Sequence, residues 1–335
     1  MITVLMPVYN GSPYLPDAIE SILAQTFFNF ELVAIDDAST DRSAAILAAY
    51  GEKDGRIRFF RNDENQGLIA TLNRGLDLAR GEYVARMDQD DVSLPQRLER
   101  QIAFMENHPD VGVCGTWVRT MGERDETWAY PSGSDEIKCS FVFESVLAHP
   151  SAMLRRSHFG AGGFRYDEGF SHAEDYALWA RCAKVMEFAN IPEVLVEYRI
   201  HADQTVRRQM RGKVMSADRV REIQLRSLGI IPSTSEMDLH RDISTCRFRS
   251  SLEFVELAGK WLQRLACAND ATSSFPEHAF SKVLARRWFL VCRAASGTGI
   301  RAWRAFRSSP LYNALGQSAK EQVVFAAKCG LKRGH

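Results

Sequence analysis

Between residues 1 and 95 the apolar and polar positions alternate between two periods. Short apolar runs at 2–9, 31–35, 57–60 and 83–87 have the length and composition of buried strands. Between them apolar residues recur three and four apart. Leu15, Ala18, Ile19, Ile22 and Leu23 predict a helix over 13–25 with one buried face, and further helices are expected over 43–50, with Asp41 as its cap, and over 68–78. Asn10-Gly11 and Asn65-Gln66-Gly67 are turn signals. Four strand–helix alternations with short connections predict right-handed βαβ crossovers. The fold class that follows is α/β, with a mostly parallel, Rossmann-like sheet covered on both faces.

The polar residues of this pattern collect at strand ends. The run 83–87 stops in Asp88-Gln89-Asp90-Asp91, and 31–35 stops in Asp36-Asp37. In an open parallel sheet, the C-terminal strand ends and the loops after them build the ligand crevice. Crowded carboxylates repel one another, and a divalent cation offsets that repulsion. Oxygen-only ligands suit Mg²⁺ or Mn²⁺, which grip a diphosphate through carboxylates, water and phosphate oxygens. A solvated acidic loop, with Ser93 as N-cap of a helix and Pro95 in its first turn, accounts for the same residues without a metal. Neither G-x-G-x-x-G nor G-x-x-x-x-G-K-[ST] follows the first strand, so a carboxylate-held metal would have to replace the glycine cradle.

From about 209 helical periodicity takes over, over 215–228, 238–268 and 276–330. The 335 residues are 45% hydrophobic and 25% charged, enough for a real core. Formal net charge is zero, which argues against a nucleic-acid partner. Seven cysteines without a Cys-x-x-Cys pair suggest neither a disulfide framework nor a zinc site, and fit a reducing compartment. The start of the chain lacks a basic leader, and no window approaches 18 consecutive apolar residues, so a cytoplasmic location is expected. The charge is unevenly placed, however. No acid separates Glu277 from Glu321, whereas Lys282, Arg286, Arg287, Arg293, Arg301, Arg304, Arg307 and Lys320 fall there, mixed with Trp288, Phe289, Trp303 and Phe306. A basic, aromatic helical stretch predicts peripheral contact with the inner face of a membrane, or a partner; a packed helical cap with solvated arginines has the same composition.

Met6-Pro7-Val8-Tyr9-Asn10, Ile35-Asp36-Asp37-Ala38-Ser39-Thr40-Asp41, Asn65-Gln66-Gly67, Gly81-Glu82-Tyr83 and Asp88-Gln89-Asp90-Asp91 resemble, in order and spacing, the motifs of the family 2 inverting glycosyltransferases. The resemblance covers about 1–205 and implies the A-type nucleotide-sugar-binding fold. It implies a catalytic domain over 1–208, with a nucleotide-sugar half to about 95 and an acceptor half over 96–208, followed by a helical C-terminal region over 209–335. The activity implied is metal-assisted transfer from a UDP- or dTDP-sugar to a glycan or lipid-linked acceptor in cell-surface polysaccharide biosynthesis.

Residue by residue, the resemblance puts Pro7, Val8 and Tyr9 along the base and ribose, although Tyr9 reads equally as core. It puts Asp36 on the base N–H, which a carboxylate suits if the base is an imide such as uracil; Asp37 reads as the start of a capped turn. Asp88 and Asp90 become the Asp-x-Asp pair, Asp90 as direct ligand and Asp88 on ribose or metal, with Gln89 in the donor site and Asp91 orienting its neighbours. Phe170-Ser171-His172-Ala173-Glu174-Asp175 resembles the family's Glu-Asp motif, which implies Asp175 as general base with Glu174 beside it. Tyr198-Arg199-Ile200-His201-Ala202-Asp203-Gln204-Thr205 resembles its closing motif, with Thr205 where Ser is usual, and implies Arg199 on the diphosphate and His201 in the metal shell. His149-Pro150 and the glycine-rich 160–163 match positions near the acceptor. A nucleotidyltransferase would carry a glycine-rich basic loop after the first strand, and none is there. A carbohydrate-binding scaffold without turnover is the non-enzymatic alternative, which Asp88, Asp90 and Asp175 speak against.

Overall fold

The computed structural model describes residues 1–160, 162–201, 210–314 and 319–330. The chain divides into two compact units, one of Met1–Ile137 with Ser145–Ala217 and one of Lys138–Glu144 with Asp218–His335. The segment 138–144, inside the acceptor half expected from sequence, therefore belongs to the second unit.

The first unit is built on β1 (Ile2–Val8), buried at every residue. Unbroken burial on both faces marks a central strand of a covered sheet. Helix α1 (Leu15–Leu23) lays Leu15, Ala18, Ile19 and Ile22 on the sheet's core. β2 (Phe30–Asp36), α2 (Ser43–Lys53), β3 (Ile57–Arg61), α3 (Leu68–Leu78) and β4 (Tyr83–Arg86) complete the expected alternation. Gly81 sets the approach of β4 to β1: a Cβ there would lie 2.4 Å from the Thr3 backbone nitrogen, so only glycine fits.

Beyond β4 follow β5 (Val92–Ser93), α4 (Arg97–Asn107), β6 (Val111–Gly122), β7 (Thr127–Trp128), α5 (Ser134–Ser140), β8 (Met153–Arg155), α6 (Glu174–Cys182) and β9 (Glu187–Ile200). The sheet order is β3-β2-β1-β4-β8-β6-β9-β5, with β7 on β6. Pairing is parallel from β3 to β4, antiparallel through β8, and parallel again between β6 and β9. Ser93 lies in β5, paired with β9, and so does not cap α4. The chain runs from β1 outward through β2 and β3, then returns to place β4 on the other side of β1. That reversal makes the C-terminal edge between β1 and β4 the topological switch point, where ligands of open α/β sheets bind.

In the second unit, α7 (Met210–Ser227, from Asp218 onward), α8 (Thr234–Ser244), α9 (Leu252–Thr272), α10 (Glu277–Ala294), α11 (Ile300–Ser308) and α12 (Ala319–Gly330) surround a core of their own. Phe280, Val283, Leu284, Trp288, Phe289, Phe306 and Phe325 are all inside it. Phe289 meets Phe306 and Phe325 edge-on at 5.5 and 5.7 Å. Burial of each such ring is worth about 2–3 kcal/mol. The aromatic residues that predicted a membrane-inserting face are thus spent on packing. Among the described residues no helix is long and apolar enough to cross a membrane.

Candidate active site

Three loops leave the strand ends at the switch point and are tied together by side chains. Gln89 turns its carboxamide onto the chain after β1: Tyr9 N donates to Oε1 (2.8 Å) and Nε2 donates to the Tyr9 carbonyl (3.0 Å). Asn10, at φ +51°, donates its N–H to Ser39 Oγ (2.9 Å) and accepts the Thr40 N–H (2.9 Å). Asp41 accepts from Ser12 N (3.0 Å) and, at the start of α2, from Ser43 N (2.9 Å). Asp37 accepts from Asn62 Nδ2 (2.6 Å), Gln66 N (2.9 Å) and Gly67 N (2.8 Å), which caps α3 from the end of β2. The capped-turn reading of Asp37 is therefore the observed one. Its neighbour Asp36 is fully buried, faces Arg61 Nε at 3.1 Å and accepts the Ser39 N–H at 3.3 Å. Pro7 and Val8 are buried in β1, whereas Tyr9 is 46% exposed and not core.

After β4, Asp88, Asp90 and Asp91 bring one carboxylate oxygen each within 4.8 Å of one another. At that separation and an effective dielectric of about 20, each ionised pair costs about 3.5 kcal/mol. Compensation comes from several sides. Buried Arg86 pairs with Asp88. His201 Nε2 meets Asp90 Oδ2 at 2.9 Å. Arg199 donates its backbone N–H to Asp91 Oδ1 (2.8 Å) and its Nε to the Asp90 carbonyl (2.8 Å), while its guanidinium also reaches Asp17 (3.1 Å). The balance is incomplete: burial and then the charge of Asp88 push the Asp90 carboxyl up, and the same causes together with Asp90 push Asp91 well above the usual range. Asp91 Oδ2 is buried with no hydrogen-bond partner among the described residues. An under-compensated all-oxygen set with a free lone pair is what a hard dication coordinates, so these residues fit Mg²⁺ or Mn²⁺. The acids the geometry gathers are Asp88, Asp90 and Asp91; His201, expected as a ligand, lies beside them with its Nε2 2.9 Å from Asp90 Oδ2.

Helix α6 begins with Glu174 and Asp175 in its first turn, where unpaired backbone N–H groups favour anions. His172, at φ +66°, delivers the chain into that turn. Glu174 is buried and Asp175 half-buried. Burial, then the adjacent Asp175, pushes the Glu174 carboxyl up to about 7. Behind them Tyr166 is buried, its hydroxyl 2.8 Å from His149 Nε2, and Asn73 of α3 clamps its backbone through two 3.0 Å bonds. Burial, then the charge of Arg86, holds His149 well below its ordinary value and hence neutral. Arg86 also acts on Tyr166 and Glu174. One buried guanidinium therefore pairs with Asp88 after β4 and favours the ionised form of Glu174 on α6.

Sequence reasoning passed over Arg86, Arg61 and Tyr166. For Arg86 the signal was there: a lone arginine inside an apolar strand needs a buried counter-charge, and three acids follow it. Gly160 and Gly163 close a turn through a 3.1 Å backbone bond, with Phe164 bonded back to Gly160. Ala202, Asp203, Gln204 and Thr205 of the closing motif lie outside the described residues.

Comparison with known proteins agrees with this geometry. The family described as "Glycosyl transferase family 2" matches residues 3–163. The O-antigen biosynthesis glycosyltransferase WbnJ of Escherichia coli is 34% identical over 218 residues, 61% of this chain and 82% of its own. Among solved structures, S. aureus TarS 1-349 in complex with UDP-GlcNAc superposes with a TM-score of 0.57 at 17% identity, over 92% of this chain and 90% of that one. The mannosyltransferase PcManGT of Pyrobaculum calidifontis, in complex with GDP-Man and Mn²⁺, gives 0.54 at 16% identity, over 96% and 86%. At such identities the two structures speak for the fold.

Proposed function

The chain belongs to glycosyl transferase family 2, and from that premise we propose that it transfers a sugar, with inversion, from a UDP- or dTDP-sugar to a glycan or lipid-linked acceptor in cell-surface polysaccharide assembly. The observation that carries the reading is the arrangement around Arg86, which couples a metal-type acid cluster to a second acid pair on α6.

Each part of the reaction then has a residue. The Asp36 carboxylate accepts an imide N–H, and Arg61 beside it can donate to a flanking carbonyl, which fits uracil or thymine. Pro7, Val8, Tyr9 and Gln89 form the wall that the nucleoside lies against. Asp88, Asp90 and Asp91 would hold a Mg²⁺ or Mn²⁺ ion, whose charge offsets that accumulating on the departing diphosphate. Arg199 and His201 keep the ligand carboxylates oriented. Asp175, the more accessible of the α6 acids, takes the proton of the acceptor hydroxyl. The acceptor oxygen bonds to the anomeric carbon as the carbon–oxygen bond to phosphate breaks on the opposite face. The electron pair of that bond leaves with the nucleoside diphosphate. Glu174, at about 7, shares the charge of the base site.

A screen of UDP-, dTDP- and GDP-sugars with Mn²⁺, read by nucleotide release and by NMR of the product's anomeric proton, tests the reading. Release from a UDP- or dTDP-sugar with an inverted linkage supports it. Retention at the anomeric carbon refutes the inverting mechanism, and no release from any donor by folded, metal-loaded protein favours a scaffold.

A further inference from the structure

We propose that the exposed face of α11 docks on an anionic lipid surface through charge alone. In α11, Ala302 and Phe306 are buried and Trp303 is half-buried, which turns Ile300, Arg301, Arg304 and Arg307 outward. The helix contains no acidic residue.

Several exposed cations of the same unit have carboxylate partners. Arg226 meets Glu222 at 2.7 Å, Arg249 meets Asp242 at 3.2 Å and Lys260 meets Glu256 at 2.6 Å. Arg301 and Arg304 have none among the described residues. Arg307 is held over the Tyr312 ring at 4.4 Å and donates to its hydroxyl, which fixes the guanidinium without cancelling its charge. Three arginines spaced one helical turn apart on one side therefore keep their full charge.

The occupant follows from what surrounds them. A row of cations on one short helix suits a flat anionic surface, where each basic residue adds attraction independently. Three arginines along one short helix make a narrow row, not the broad positive field by which proteins wrap nucleic acid. Because Trp303 and Phe306 face inward, the contact is electrostatic and involves no ring insertion. The proposal rests on the lipid-linked acceptor reading for its purpose, since such an acceptor is presented at that surface, and otherwise stands apart from the chemistry.

Co-sedimentation of the full chain with vesicles of phosphatidylglycerol and phosphatidylcholine in equal parts tests it, with pure phosphatidylcholine as reference. Binding is expected only to the anionic vesicles. It should weaken about fivefold for each of Arg301→Gln and Arg304→Gln, and be lost on raising salt from about 0.05 M to about 0.5 M. Arg226→Gln, which removes a paired arginine, should leave it unchanged. Equal binding to neutral vesicles, undiminished binding by the natively folded double variant, or binding to a short DNA duplex in place of the anionic vesicles each overturns the proposal. Donor hydrolysis without vesicles should be the same in wild type and double variant, so a failed lipid contact and a failed transferase reading are told apart.

Discussion

Replacing Arg86 with methionine should deepen the charge imbalance of the acid cluster and make its stability depend more strongly on metal. Methionine keeps much of the buried stem but leaves Asp88 without its ion-pair partner, beside Asp90 and Asp91. Removing one member of a buried pair costs about 3–5 kcal/mol, because the other charge stays buried and uncompensated. For a unit of this size that corresponds to a fall in Tm of about 10 °C, at roughly 2–4 °C per kcal/mol. The guanidinium also repels a bound dication, so its loss should strengthen metal binding, and each tenfold gain adds about 1.4 kcal/mol to stability. Thermal melts of wild type and Arg86→Met in EDTA and in MnCl₂ read both effects. The variant should be much less stable in EDTA, and its gain on adding Mn²⁺ should exceed that of the wild type. An equal gain in both would show that the ion does not feel Arg86, and would place the metal elsewhere.

Glu174 predicts a pH effect on stability without metal. Its folded value of about 7 lies above the unfolded 4.5, so its contribution is complete below about 4.5 and is lost as pH rises through about 7. Urea melts in EDTA should show stability falling over that window, and Glu174→Gln should flatten the fall. Ala38 sits at φ +56°, where a Cβ is strained, so Ala38→Gly should stabilise by about 1 kcal/mol in the same melts. Asp37→Ala strips acceptors from the N–H groups of Gln66 and Gly67 and from Asn62; of these only Asn62 is buried, so at about 1–3 kcal/mol for a donor left buried a loss of about 2 kcal/mol is expected by chemical denaturation.

The alternation of β1 to β4 was legible because each strand is a short apolar run closed by acids or a turn. β5 and β8 were not, because two or three residues cannot establish a period. Transfer of 138–144 to the second unit leaves no local trace either. It depends on distant partners, such as the Val142 carbonyl bonded to His240 at 2.9 Å and Glu144 paired with Arg287. The aromatic stretch after 280 misled for a related reason: an apolar helix face states that it is buried, and does not state against what. In the site, spacing gave the acids, but that Asp91 joins Asp88 and Asp90 within 4.8 Å with an unpartnered buried oxygen depends on the folded loop and leaves no mark in the spacing.

The central claim is that a dication held at Asp88, Asp90 and Asp91 carries the diphosphate while the α6 acids act only on the acceptor. Calorimetric titration of UDP into wild type, Asp90→Asn and Asp175→Asn, with Mn²⁺ and with EDTA, tests it directly. UDP should bind wild type and Asp175→Asn in Mn²⁺, and bind Asp90→Asn at least tenfold more weakly, by about 1.4 kcal/mol or more. UDP affinity that is unchanged in EDTA and in Asp90→Asn would contradict the account.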